Sequence, residues 1–170
     1  MTNPDRVYWD SSTYLDWLTG RHALHADMEM VMEDWLAGLV TLATSALTIA
    51  EVYFVRIDGR VDRSRDADID RLFDPPLIVV ELSRLTARVA RDLARDGISP
   101  RDAIQVASAL EAHCPVMHTN DEGLWEKSGK VGGDPTLMIG APSWTRQLSA
   151  FENPSEPQPP YGQSQSGAQK

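Results

Sequence analysis

Short apolar runs alternate with longer segments of helical periodicity along most of the chain. The apolar runs lie at residues 7–9, 39–44, 77–80, 116–119 and 136–139, and polar or turn-forming residues separate them. Strands that alternate with helices are typical of an α/β protein with a parallel sheet. The pattern therefore predicts an α/β fold in which residues at the carboxyl ends of the strands share one edge.

The segments between these runs carry helix-boundary signals. Ser11, Ser12 or Thr13 can cap a first helix, and Ser83 can cap a helix over residues 84–96. Ser99-Pro100 has the Ser-then-Pro signature of another helix start. Further helices are predicted at residues 23–36, at 62–73, and from Ser45 or Thr48 through Val52, Tyr53, Val55 and Ile57.

The second predicted helix has an apolar face, which indicates core packing or, alternatively, binding of a partner protein. This face consists of Met28, Val31, Met32, Trp35 and Leu36.

The bulk composition is that of a soluble domain, with 42% hydrophobic and 24% charged residues. Residues 1–151 are predicted to form one domain, whereas residues 152–170 are rich in Pro, Gln and Ser and are predicted to be a disordered tail. No apolar run approaches the roughly 18 residues of a membrane span. The N-terminus lacks a secretory pattern, and the single cysteine, Cys114, fits a small core residue in a reducing compartment. We therefore expect a cytoplasmic protein without membrane association.

The net charge of −9 argues against a nucleic-acid partner, because phosphate binding is driven by basic surface. The objection is weaker if some of the acids hold a metal ion, because the cation offsets their charge. One basic stripe is a candidate for phosphate contact, although a solvated face paired with nearby acids is the favoured explanation. The stripe consists of Arg84, Arg88, Arg91 and Arg95.

Four acids recur at related positions in the predicted elements. Asp10 and Asp121 follow apolar strands, whereas Glu51 and Asp102 lie early in predicted helices. Each has a structural explanation, as a turn residue or as the acid of a capping box. Together, however, they should meet at one edge of a parallel sheet, where clustered carboxylates require a bound cation or a raised pKa. Oxygen ligands of this kind suit Mg²⁺ or Mn²⁺, which can support phosphodiester cleavage.

The segments around these acids resemble the PIN-domain ribonucleases, and most closely the VapC-type toxins of toxin–antitoxin pairs. The similar segments are residues 7–12 (VYWDSS), 44–52 (TSALTIAEV), 102–109 (DAIQVASA) and 119–121 (TND), and the resemblance covers about residues 6–140. Each segment alone is weakly specific, whereas the four in this order and spacing are quite specific.

The resemblance implies a three-layer α/β/α fold with a mainly parallel central sheet, and an endoribonuclease that depends on Mg²⁺ or Mn²⁺. It also implies an RNA substrate, a cognate antitoxin and a homodimer. By this analogy Asp10, Glu51, Asp102 and Asp121 are the metal-binding and catalytic acids, and Ser12 is a polar helper beside the first acid.

Two other functions are compatible with the sequence. The first is a catalytically silent PIN-like binding module, against which the presence of all four acids argues. The second is an aspartyl-phosphate phosphatase with Asp10 as nucleophile. That chemistry requires a second acid two residues on, where this chain has Ser12, and a well-placed lysine.

Overall fold

The computed structural model describes residues 5–20, 22–53 and 60–142. The predicted tail at 152–170 lies outside these ranges, as does the predicted continuation of the third helix through Val55 and Ile57. The division into a domain and a tail therefore stays a prediction.

Within the described ranges, five strands form one sheet in the order β3-β2-β1-β4-β5, and all of their pairings are parallel. The predicted α/β fold around a parallel sheet is thereby confirmed. The strands are β1 (Asp5–Trp9), β2 (Val40–Ser45), β3 (Ile78–Val80), β4 (Val116–His118) and β5 (Met138–Gly140).

Helices occupy most of the connections between the strands, as the sequence predicts. They are α1 (Ser11–Thr19), α2 (His25–Leu36), α3 (Ala46–Glu51), α4 (Asp66–Leu72), α5 (Arg84–Arg95), α6 (Pro100–Glu111) and α7 (Glu122–Trp125), with a 3₁₀ turn at Arg63–Arg65. The helices predicted from boundary signals begin and end within a few residues of the expected bounds, except α3.

The alternation of side chains along β1 creates two cores, one on each side of the sheet. Val7 and Trp9 are buried in a cluster with residues of α1, α2 and α4. Tyr8, which faces the opposite way, is buried in a second cluster with residues of α5, α6 and α7. The result is a sheet between two helical layers. Four residues of the predicted apolar face of α2 are buried, namely Met28, Val31, Met32 and Trp35. The fifth, Leu36, was predicted to lie on the same face but is 73% exposed and lies outside the core.

Two local predictions are wrong. The residue that caps α1 is Asp10 itself, and not Ser11, Ser12 or Thr13, because the Asp10 carboxylate accepts the Thr13 N–H. The helix α3 is capped by Ser45 and ends at Glu51, so Glu51 lies in its last turn and not in an early one. Val52 and Tyr53 follow the helix in extended or irregular backbone. By contrast, the predicted caps at Ser83 and at Ser99-Pro100 are confirmed.

The strand order reverses at β1. The chain moves from β1 to β2 and β3 on one side, and then returns to place β4 and β5 on the other side. In open α/β sheets, such a reversal leaves a crevice beyond the carboxyl ends of the two strands, where ligands bind. Here the crevice lies between the ends of β1 and β4, which lead into Asp10 and Thr119 respectively. Among the described helices, none is long and apolar enough to cross a bilayer.

The turn before β5 should depend strongly on Gly133. Gly132 and Gly133 both have positive φ, but a Cβ at Gly132 would meet nothing within 4 Å, whereas one at Gly133 would lie 2.7 Å from the Pro135 carbonyl oxygen. We expect Gly133→Ala to lower the free energy of unfolding by about 1–3 kcal/mol more than Gly132→Ala does. Urea unfolding of the two variants measures this difference, and equal losses would contradict it.

Candidate functional site

Asp10 lies at the carboxyl end of the central strand and is only 6% exposed. Three donors hold its carboxylate. The Ser12 hydroxyl and the Thr13 N–H donate to Oδ1 at 2.7 and 2.9 Å, and the Thr119 hydroxyl donates to Oδ2 at 2.6 Å. Asp10 is therefore fixed in orientation by groups from α1 and from the residue after β4, none of which carries a charge.

Burial raises the pKa of Asp10, and the hydrogen bonds from Thr119, Thr13 and Ser12 offset this effect only in part. A carboxylate in this position is thus costly to ionise unless a positive charge approaches it. The Ser12 hydroxyl, which the resemblance places beside the first acid, is in direct contact with it.

Thr119 joins Asp10 to the segment that contains Asp121. Its hydroxyl accepts the Asp121 N–H at 3.0 Å while it donates to Asp10. The Asp121 carboxylate is exposed and accepts the Gly123 N–H at 2.8 Å, which caps α7. The structure therefore brings the Asp121 backbone next to Asp10, while the Asp121 side chain acts as a helix cap.

Glu51, at the end of α3, forms an ion pair with Arg101 of α6. The other oxygen of Glu51 accepts a hydrogen bond from the Gln105 side-chain amide at 3.3 Å. The Glu51 side chain is 14% exposed and that of Arg101 is 60% exposed, so the pair lies at the mouth of the site.

Asp102 lies in the first turn of α6 and contacts the cap of that helix. The Ser99 hydroxyl accepts the Asp102 N–H at 3.2 Å and lies 2.5 Å from the Asp102 carboxylate, to which it donates. Ser99 therefore caps the helix as a capping box requires, but the Asp102 carboxylate accepts the Ser99 hydroxyl, and the described contacts include none from the Ser99 N–H to it. The second carboxylate oxygen of Asp102 lies outside this contact.

The Arg101 guanidinium lies in the electrostatic field of three of these acids and contacts one of them, Glu51. Its contact with Glu51 raises the pKa of Arg101, and the nearby charges of Asp102 and Asp10 raise it further. Arg101 Nη2 also lies 3.4 Å from the Ser11 hydroxyl. One of the four predicted acids thus pairs with Arg101, and the charges of two more act on it from a distance. In this side-chain arrangement, no three His, Cys, Asp or Glu residues of the described ranges are grouped so as to hold a metal ion.

A buried polar network extends below Glu51. The Tyr8 hydroxyl donates to Gln105 Oε1 at 2.5 Å, and Gln105 Nε2 donates to the Thr48 hydroxyl at 3.2 Å as well as to Glu51. Gln105 is 2% exposed and therefore sets the position of Glu51 from inside the core. Arg101, Gln105 and Thr119 were not identified from the sequence. The sequence feature that could have identified them is their position within three residues of Asp102 or Asp121.

Two other features of the sequence have ordinary roles here. The four arginines of the α5 stripe are exposed, and Arg91 and Arg95 lie 3.7 and 3.2 Å from Asp92, as expected for a solvated, paired face. Cys114 is buried, and burial raises the pKa of its thiol to about 12. It is therefore an unreactive core residue, as predicted.

The raised pKa of Asp10 predicts a pH-dependent stability difference between wild type and Asp10→Asn in EDTA. A carboxyl whose pKa is higher in the folded state binds its proton more tightly there, so the folded state loses stability as pH rises through that pKa. The amide introduced by the substitution does not titrate. We expect the free energy of unfolding of the variant, relative to wild type, to increase from pH 4 to pH 8 in urea titrations. A difference that is constant with pH, or that falls, would count against the buried, ionisable Asp10.

The network below Glu51 predicts a stability loss for Gln105→Leu. This change leaves Thr48 and Glu51 without the amide donor and removes the acceptor of Tyr8, so we expect a loss of about 1–3 kcal/mol. Tyr8→Phe should have a smaller effect, and the double variant should be less destabilised than the sum, because the two side chains contact each other. Additive losses in urea unfolding would show that the contact contributes nothing.

Comparisons with known proteins agree with this architecture. The sequence profile of the PIN domain matches residues 7–130. The comparison with curated proteins found no match.

Three solved structures share the fold. A toxin–antitoxin complex from Klebsiella pneumoniae is 18% identical with a TM-score of 0.54, and the match covers 78% of this chain and 95% of that one. VapBC2 from Rickettsia felis, bound to a promoter DNA fragment, is 14% identical with a TM-score of 0.54, and the match covers 79% and 96%. FitAB bound to a DNA fragment is 15% identical with a TM-score of 0.51, and the match covers 78% and 94%. At these identities the likeness concerns the fold, whereas the profile match spans most of the chain: the protein belongs to the PIN domain family.

Proposed function

We propose that this protein is a Mg²⁺- or Mn²⁺-dependent endoribonuclease and the toxin of a type II toxin–antitoxin pair. The PIN domain family is a family of nucleases, and a similar fold occurs in a structure described as a toxin–antitoxin complex. The RNA substrate, the metal ion, the antitoxin, a homodimer and a cytoplasmic location all belong to this proposal.

The observation that carries the proposal is the position of Arg101 among the acids. Glu51, Asp102 and Asp10 all act on one guanidinium at the carboxyl edge of the sheet. This arrangement supports a site whose acids require a nearby positive charge. In the metal-free protein Arg101 supplies that charge in place of a metal ion. The ligand atoms available are carboxylate oxygens, which Mg²⁺ and Mn²⁺ prefer. The residues therefore fit a divalent cation, provided that the Glu51 side chain is released from Arg101.

In the proposed site Asp10, Glu51, Asp102 and Asp121 hold the metal ion, which when bound activates water and stabilises the charge that develops on the phosphate. Ser12 and Thr119 fix the orientation of the Asp10 carboxylate. Gln105 holds Glu51 at the mouth of the site, and Thr119 places the Asp121 backbone beside Asp10.

The net negative charge of the protein is an obstacle to RNA binding. The protein carries a net charge of −9, so long-range attraction of the phosphate backbone is weak. Neutralisation of the acid cluster is therefore a requirement for substrate binding as well as for chemistry. This is a physical reason for cleavage to depend on a divalent ion.

One observation favours the binding-module alternative. In the described ranges the acids are not grouped so as to hold a metal ion directly, and Glu51 is already paired. A silent module would keep this arrangement when Mn²⁺ is added. The thermal stability of such a module would be insensitive to Mn²⁺ and to EDTA, whereas ligand binding raises the melting temperature of a metalloenzyme.

Asp10→Asn should abolish cleavage of structured RNA in the presence of Mg²⁺. The change keeps the shape of the side chain but removes the charge at the centre of the site. Loss of groups that merely orient metal ligands costs about 10–100-fold, so we expect loss of a ligand charge to reduce the rate by at least about 100-fold. Cleavage is measured on purified protein with end-labelled RNA, and EDTA should stop the wild-type reaction.

Asp92→Asn is the matched control, because it makes the same substitution on the exposed face of α5, where Asp92 pairs with Arg91 and Arg95. This variant should cleave at the wild-type rate. Wild-type activity in Asp10→Asn, or undiminished cleavage in EDTA, would refute the proposed mechanism.

A further inference from the structure

Arg101 has contacts that its position at the surface does not require. It is 60% exposed, yet its guanidinium is directed to Glu51 and Ser11 and not toward solvent alone. Other exposed arginines, such as Arg91 and Arg95, pair with an acid of their own helix. Arg101 instead links α6 to α3 and to the first residue of α1.

The position of Arg101 has an electrostatic cost for any second cation. Like charges in one site repel, and a carboxylate oxygen that accepts a guanidinium N–H has fewer lone pairs to offer to a metal ion. The Glu51 carboxylate has both oxygens occupied, one by Arg101 and one by Gln105. Glu51 is therefore a weaker metal ligand while Arg101 is bound to it, and a stronger one once that contact is broken.

The geometry also allows this contact to break without loss of the fold. Arg101 is anchored by the backbone of the first turn of α6, which Ser99 and Pro100 define. Its side chain is long, partly solvated and outside both cores. Gln105 keeps hold of Glu51 from below when Arg101 moves away, so the carboxylate stays near the site.

We propose that Arg101 is a resident, displaceable cation of the acidic site and that a divalent metal ion displaces it from Glu51 on binding. Arg101 thus stabilises the metal-free protein and lowers its affinity for the metal. This inference rests on the proposed metal site, and the experiment below separates the failure of the two.

Mn²⁺ binding to the full chain, measured by isothermal titration calorimetry without RNA, tests the inference. We expect Arg101→Gln to lower the Kd for Mn²⁺ by roughly three- to tenfold, or about 0.6–1.4 kcal/mol. In EDTA the same variant should melt at a lower temperature than wild type, because the repulsion among the acids is then unrelieved. Its melting temperature should rise more than that of wild type on addition of Mn²⁺.

Arg95→Gln is the control variant, because it removes an equally exposed arginine from a surface pair on α5. Its Kd for Mn²⁺ should equal that of wild type. Arg101→Lys keeps the charge but loses the planar guanidinium, so its Kd should lie between those of wild type and Arg101→Gln.

A measurement on the wild-type protein avoids any effect of substitution on folding. The ¹H–¹⁵N resonance of Arg101 Nε, assigned by its absence in Arg101→Lys, should move on titration with diamagnetic Mg²⁺ toward the position of solvated arginines. An unchanged resonance at saturating Mg²⁺ would overturn the displacement.

The remaining outcomes are also decisive. If wild type binds Mn²⁺ and Arg101→Gln binds it equally or more weakly, Arg101 does not compete with the metal, and the proposed nuclease site stands without this inference. If wild type binds no Mn²⁺ at all, the proposed function fails, and the role of Arg101 as a competitor fails with it.

Discussion

The structure depends on one buried carboxylate at the end of its central strand. Asp10 is almost inaccessible, and the groups that contact it are two hydroxyls and a backbone N–H. Neutral donors orient a carboxylate but do not neutralise it, and the raised pKa of Asp10 expresses the remaining cost. This unfavourable ionisation occurs at the point where the sheet reverses its strand order. A carboxyl whose ionised form is disfavoured in the free protein, placed at such a crevice, is typical of a site organised for a ligand.

The surroundings of Asp10 divide the acids into two sets. Asp10 and the Asp121 backbone are joined through the Thr119 hydroxyl, and these contacts belong to strand ends and helix caps. Glu51 and Asp102 belong to the ends of α3 and α6, and Arg101, the chain neighbour of Asp102, pairs with Glu51. The first set is fixed by the sheet, because moving it would break the cap of α1. In the second set Gln105 holds Glu51 and Ser99 holds Asp102, so the part that can rearrange is the Arg101 side chain, which is mostly solvated.

The sequence predicted the parts of this arrangement that depend on the backbone. The apolar run before Asp10, the Ser99-Pro100 helix start and the strand before Thr119 place these residues at one edge of a parallel sheet, and the structure has the same elements. The end of α3 was not predictable from periodicity, because Val52 continues the apolar spacing although Ser45 caps a helix of only six residues. The contacts of Arg101 and Gln105 depend on side-chain direction across two helices, which no local pattern records.

The contrast between the fixed acids and the rearrangeable Arg101 also bears on the excess of negative charge. A site made only of acids would be unstable without metal, and a site with a permanently bound arginine would exclude the metal. A cation attached to the chain and largely exposed to solvent resolves this conflict, because its side chain can leave the acids for water. Arg101 fits this requirement better than a lysine would. Its guanidinium contacts Glu51 and lies near Ser11 through different nitrogens, so one side chain spans two elements of the site. In the proposed site, the same residue would therefore control both the stability of the free protein and the access of the metal ion.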